Sequence, residues 1–563
     1  MKQHATRTAL TLSLGLFLFT SCQKETPEET PAPPTITFAG GTGERKVKTG
    51  GNITLSASVE NAVKPLYTWK IGGKIVSAEP AFTFVAERAG EYFAHFRVDA
   101  ENGSAEGQIK ISVTDRLPPQ ITLNPAAMAW AGVDKVFTAE AENAGNAACV
   151  WRLNGDIVSE AATYTFNQTK TGVHLLSLKV TTEDGQDLKV ITVTVLPEPR
   201  PELFFDDGRY RTPGNAAALR KMTVPAGRSL VLAPVICHIE NPATFEWKVN
   251  GATQPAAGEY FTFTPTEKGA YRITVTEKST NATAEVEVTC TDAEGTYRRT
   301  GKAGRKAHAA LALDYGPAPG QFIDYQTGST RAKALQDLQQ WCDAGAQSYF
   351  HIGAYGGYFI LGFDHSVSNE PDKADLQIAG NPLGTWCEQG IVWVMQDDNG
   401  NGLPDDTWYE LRGSETGKPE TKQRLAMTYY RPGAPSSSVL WTDNSGRTGS
   451  VDWNGHHTQQ YYYPMFITED YYTLTGTCLA STAGIGGGLE VASCYDWGYV
   501  DNNSSSADRP ASHFRIEDAI QADGSPVTLQ YIDFVKVHTA AAGKGAATGE
   551  VSTEAFLPVD LNF

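Results

Sequence analysis

The sequence predicts an all-β, multidomain protein: three small β-sandwiches in tandem, then one larger jelly-roll-like β-sandwich with a single accessory helix. Three observations carry this. A tryptophan-centred motif recurs three times at intervals of about eighty to a hundred residues. Each copy is followed by strands of period two. Near Tyr297 the repeat stops, and longer apolar runs with Gly-rich connections take over. At 563 residues the chain is too long for one core, and ordinary domain sizes suggest about three to five units.

The N-terminus is read first. Basic residues precede an apolar run over 9–20, too short to span a bilayer, so residues 1–21 read as a secretion signal. The following F-T-S-C resembles a bacterial lipoprotein processing site, which would make Cys22 the lipidated first residue. Residues 22–34 are polar and Pro-rich and read as an extended tether. Acidic residues just behind the cysteine resemble the export signal of surface lipoproteins in Bacteroidetes. These features place the chain at the outer membrane, lipid-anchored and facing outward, where disulfides persist.

The repeats come next. Residues 66–70 (L-Y-T-W-K), 149–152 (C-V-W-R) and 245–248 (F-E-W-K) are followed by I-G-G-K-I-V, L-N-G-D-I-V and V-N-G. Gly90, Gly172 and Gly269 lie 21, 21 and 22 residues after Trp69, Trp151 and Trp247, and each opens an alternating strand. Units at residues 35–115, 116–197 and 198–292 are expected to be β-sandwiches with the tryptophans in their cores. They resemble PKD or immunoglobulin-like modules. Their expected role is a stalk, dispensable for whatever the C-terminal domain binds. Cys237 and Cys290 fall near the ends of the third unit and are candidates for a disulfide.

Composition narrows the function. The formal net charge is −18 and no useful Lys/Arg cluster occurs, so nucleic acid and anionic membrane are poor partners. Apart from Cys22 the cysteines show no C-x-x-C pairing, against a zinc ribbon. H-E-x-x-H, G-x-S-x-G and P-loop motifs are absent, so no enzyme is expected. A glycosidase carboxylate pair would leave no local motif and stays open as an alternative.

Residues 301–563 form the fourth unit. Within it, 329–345 has a Ser/Thr cap, helix formers and a terminal glycine, which predicts one helix with Leu335, Leu338 and Trp341 or Cys342 inward. The strands expected to organise this unit are 391–395 and 408–411, joined by D-D-N-G-N-G-L-P-D-D. Asp397, Asn399 and Asn401 alternate, Gly402 follows and Asp405 comes next, as in the first half of a calcium loop. Oxygens two residues apart on a tight turn converge on one hard cation. Trp408 stands where an EF-hand carries its bidentate glutamate, so Asp405, Asp406 or Glu410 would supply that carboxylate. A plain Asn/Asp/Gly turn has the same composition and needs no ion.

Residues 441–472 are rich in aromatics interrupted by Asn, Asp, Gly and Thr, which suits loops that stack on a large flat ligand. Trp453, His456, His457, Tyr461 and Tyr462 are the expected rim of a binding site, with Trp497 in Y-D-W-G-Y-V-D-N as a further contact. About half of the tyrosines are expected in the core instead. The motifs G-G-Y-F-I-L-G-F-D-H-S-V-S-N, D-D-N-G-N-G-L-P-D-D-T-W-Y-E-L, Y-Y-Y-P-M-F, Y-D-W-G-Y-V-D-N and Y-I-D-F-V-K-V together resemble a family of Bacteroidetes surface lipoproteins with PKD-like modules. The resemblance covers most of residues 320–539. Its BtuH-type members capture vitamin B12 and related corrinoids through the C-terminal domain. What the resemblance implies is a non-catalytic protein that passes a corrinoid to an outer-membrane TonB-dependent transporter. A glycan-binding surface lipoprotein of a polysaccharide-utilisation system, using the same aromatic loops and calcium, is the alternative, with a glycoside-processing enzyme behind it.

Overall fold

In the computed structural model, the described residues are 32–256, 258–301, 303–323, 330–345, 348–384, 386–454, 459–486, 489–545 and 549–563. The chain is a multidomain all-β protein built of successive β-sandwiches. The repeats fold alike. In the first, a five-stranded sheet runs in the order Arg45–Lys48, Gly103–Thr114, Gly90–Ala100, Leu66–Ile71, Lys74–Ser77. A three-stranded sheet of Thr35–Phe38, Asn52–Glu60 and Ala81–Val85 completes that sandwich. The second and third repeats build five-stranded sheets with the same order of strands. Trp69, Trp151 and Trp247 are all 0% exposed, each in the strand beside the long hairpin. Gly90, with φ +151°, opens that hairpin in a conformation that L side chains rarely adopt.

Two compact units result: the first two sandwiches form one, and the third sandwich joins the C-terminal domain in the other. This revises the reading of three equivalent stalk modules. The third sandwich is bonded along its side to the C-terminal domain. Phe204, Val235 and Cys237 pack on Ala426. Val231 N donates to Gln521 Oε1 (3.1 Å), and Thr407 Oγ1 donates to the Thr223 carbonyl (2.7 Å). Asn444 Nδ2 donates to the Ile236 carbonyl (2.9 Å).

The C-terminal domain pairs two sheets. The larger runs Leu311–Gly316, Tyr358–Ser368, Tyr531–Thr539, Gly390–Met395, Trp408–Leu411, Ala519–Ile520. The smaller runs Thr448–Val451, Val439–Asp443, Lys422–Tyr430, Tyr471–Cys478. Alternation sorts the larger sheet's side chains onto two faces. Phe359, Leu361, Val392, Val394, Val535 and Val537 face one core, against the helix Arg331–Asp343. Tyr358 and Ile360 face the other, shared with Met427, Tyr429, Tyr472 and Leu474 of the smaller sheet. Thr330 caps the helix by accepting from Lys333 N, and Ala334, Leu338, Trp341 and Cys342 are its buried face. The disulfide joins Cys387 to Cys494, whereas Cys237 and Cys290 are free and buried. Burial takes the thiol of Cys237 up to about 12, so it behaves as a small apolar side chain.

Candidate functional site

The hairpin expected at the centre lies inside the larger sheet, with Trp393 opposite Glu410, Val394 opposite Tyr409 and Met395 opposite Trp408. Its loop is held by its own short polar side chains. Asp397 Oδ1 accepts from Gly400 N (2.7 Å) and Asp397 Oδ2 from Gly402 N (3.0 Å). Asn399 Oδ1 accepts from Asn401 N (2.9 Å), and Asn401 Oδ1 from Leu403 N (2.7 Å). Asn399 and Asn401 both donate their amides to Asp405 at 3.1 Å. Gly402 has φ +73°, the left-handed turn that the calcium-loop pattern requires of its glycine. The spacing thus produces one tight loop gathered around Asp397 and Asp405. These bonds are equally those of a self-sufficient turn.

The loop is also anchored from outside. Asp397 N donates to Asp533 Oδ2 (2.8 Å), and Asp533 takes Arg299 Nη2 (2.9 Å) and Ser366 Oγ (2.6 Å). Arg228, from the third sandwich, donates to Asp398 Oδ2 (3.0 Å) and Gln396 Oε1 (3.1 Å). Even so, burial holds the Asp398 carboxyl up at about 7, against the pull of Arg228.

The aromatic segment divides between core and surface. Tyr462, expected at the rim, is 1% exposed and packs between the two sheets, its hydroxyl accepting from Asn454 N (3.2 Å). A ring without accessible surface has nothing to stack on a ligand, so Tyr462 is a core residue. Trp453 is half-buried against the same core and donates Nε1 to the Gln459 carbonyl (3.0 Å). Tyr461 is 41% exposed. His456 and His457 lie outside the described residues. Trp497 makes different contacts: it is half-buried under the Arg509 guanidinium, 5.0 Å from its ring, beside the turn at Gly413 and Ser414.

Sequence reasoning missed the polar side chains placed inside the strands. Lys536 is 3% exposed, lies 4.7 Å over the Tyr358 ring, and makes no ion pair within 4 Å among the described residues. Burial lowers its pKa, opposed by Asp206, Asp207 and Asp314. His538 accepts from Trp393 Nε1 at Nδ1 (3.0 Å) and donates Nε2 to the Thr477 carbonyl (3.0 Å), so it is the neutral Nε2–H tautomer. Burial and Lys536 hold it down at about 3. Glu410 is bonded by the Thr477 hydroxyl, and burial raises it to about 7. The available signal was Asp, Lys, His and Glu interrupting otherwise apolar runs, Y-I-D-F-V-K-V-H and W-Y-E-L.

Lys536 and Glu410 line a cavity of 130 Å³, which Asp206, Met222, Leu232, Trp393, Asp406 and Trp408 help to close. It lies where the third sandwich meets the C-terminal sheets. A separate group, Glu388, Asp501 and Glu554, brings carboxylate oxygens within 4.8 Å of one another; among the described residues it is the only His/Cys/Asp/Glu group able to hold a metal. His351 Nδ1 stands 3.0 Å from Glu554 Oε1, and Asn381 Nδ2 donates to Glu554 Oε2 (2.7 Å). Burial, with the Glu554 carboxylate, raises Asp501 to about 8 against the backbone bonds it accepts.

Comparison with known proteins bears on the modules. A family model described as a PKD-like domain matches residues 33–100. Solved structures with similar folds include the fibronectin(III)-like modules of Clostridium thermocellum CbhA, 14% identical, covering 29% of this chain and 95% of that one at a TM-score of 0.17. The titin I-band fragment I67–I69 is 11% identical, covering 46% and 98% at a TM-score of 0.15. Sidekick-1 immunoglobulin domains 1–4 are 13% identical, covering 46% and 76% at a TM-score of 0.18. No curated protein matches the sequence.

Proposed function

We propose that this chain is a cell-surface lipoprotein, anchored through Cys22 in the outer membrane, whose C-terminal domain captures vitamin B12 or another corrinoid for delivery to a TonB-dependent transporter. The protein acts without catalysis, as a binding module raised on its first two sandwiches. The observation that supports this most is where the family-like motifs lie. They supply the strands Tyr358–Ser368, Trp408–Leu411 and Tyr531–Thr539 of the larger sheet, together with the segments carrying Tyr461 and Trp497. The cavity of 130 Å³ beside Lys536 is well below the roughly 300–1,000 Å³ of drug-sized ligand pockets, and in this reading a corrinoid binds at the aromatic loops instead. The Cys387–Cys494 disulfide supports export to an oxidising compartment. The Asp397–Asp405 loop, in this reading, takes a calcium ion that stiffens the hairpin.

The test is a titration of the purified protein with cyanocobalamin, followed by calorimetry. Saturable binding is expected, with Tyr461→Ala weakening it about ten-fold, the effect of losing one stacking contact of ~1.4 kcal/mol. Absence of binding, with retention on a polysaccharide column, would replace this reading by the glycan-binding one.

A further inference from the structure

We propose that the cavity between the third sandwich and the C-terminal sheets binds a small primary alkylammonium ion, with Asp406 as its counter-charge. The site is distinct from the corrinoid-binding loops and does not depend on that reading.

Asp406 lines the cavity and is 4% exposed, yet neither of its carboxyl oxygens has a hydrogen-bond partner among the described residues. Of the groups that act on its titration, only the Thr223 side chain favours the ionised form, and it is the smallest influence. Burial and the neighbouring carboxylates raise Asp406 to about 9, so it keeps its proton until a cation beside it draws it into the ionised form. Its surroundings deepen the need for positive charge. Asp397, Asp398 and Asp405 act on it from the adjoining loop, and Glu410 lines the same cavity. Lys536 does not answer that need, since the acids that act on it are Asp206, Asp207 and Asp314, not Asp406.

The lining selects an organic cation over a metal. Asp206, Asp406 and Glu410 do not converge: the one described group with three mutually close ligand atoms is Glu388, Asp501 and Glu554. A metal ion in the cavity would therefore lack a cage of oxygens. The walls contributed by Met222, Leu230, Leu232 and Trp408 are apolar, suited to a short alkyl tail. Indole faces also favour an adjacent ammonium. A volume of 130 Å³ is roughly four waters' worth, enough for a propylammonium-sized molecule.

The experiment titrates the full chain with n-propylammonium chloride and follows heat of binding and melting temperature. 1-Propanol and sodium chloride at equal concentration are the controls. The melting temperature should rise with propylammonium concentration by mass action, and neither control should reproduce the rise. Asp406→Asn keeps the shape but cannot ionise against a bound cation, so the variant should fold and bind at least ten-fold more weakly. Should that variant not fold, Glu410→Gln should still weaken binding at least three-fold. The proposal is overturned if propylammonium does no more than the controls, or if the folded variant binds as the wild type does.

Discussion

Trp69, Trp151 and Trp247 answer the same local demand three times, as large apolar residues on inner strand positions with no exposed surface. Such residues are legible because burial and period-two alternation leave a pattern. Tyr462 was not. Its position in Y-Y-Y-P-M-F gives no alternation to assign it inward, and only the packing of two sheets does so. Glu410 was missed for the opposite reason, since an acid in a strand ordinarily points to solvent. It carries a prediction. Burial raises its carboxyl from 4.5 to about 7, so the folded chain holds this proton more tightly than the unfolded one. Stability from this group is greatest below the unfolded value and is lost as pH rises through about 7. The shift is worth at most about 3 kcal/mol. Glu410→Gln, which stays neutral, should match the wild type in denaturant melts at pH 5 and exceed it by about 1–3 kcal/mol at pH 8.5. Equal pH profiles for the two would refute this.

The hairpin Gly390–Met395 with Trp408–Leu411 shows what an element adds to its residues. Apolar runs flanking an Asx- and Gly-rich turn specify antiparallel pairing, and the helix at Arg331–Asp343 follows from its cap and its 3.6 spacing in the same way. The loop's burial was not legible. Asp397 and Asp398 are buried because Asp533 and Arg228, 136 and 170 residues away in sequence, close over the loop root. Long-range partners leave no local trace. If calcium occupies this loop, it stabilises the folded state by about 2.7 kcal/mol at a hundred-fold excess over its dissociation constant. Chelation should then lower the melting temperature by several degrees, and Asp397→Ala should abolish the chelator's effect. A wild-type melt unaffected by chelator identifies a self-sufficient Asx turn instead.

At the scale of the whole molecule, the repeat predicts three sandwiches but is silent on which surfaces they bury. The third repeat differs from the others in what its turns reach. Arg228, in the turn before Leu230–Leu232, is bonded to Asp398, Gln396 and, at 2.6 Å, Glu294. Tyr210 N donates to the Tyr358 hydroxyl (3.1 Å), itself bonded to Asp314 (3.1 Å). Gln521 bonds both Val231 N and the Ser229 carbonyl. Removing this sandwich would open Ala426, Tyr358 and the cavity around Lys536 to solvent and strip Asp398 of its guanidinium. A chain starting at Gly301 should therefore melt at least 10 °C below one comprising residues 198–563, whereas deleting the first two sandwiches alone should shift the 198–563 transition by only a few degrees from that of the full chain. Circular dichroism melts of the three chains decide it. If the shortest chain melts with the other two, the contacts between the third sandwich and the C-terminal sheets are incidental, and that sandwich is a spacer like the first two.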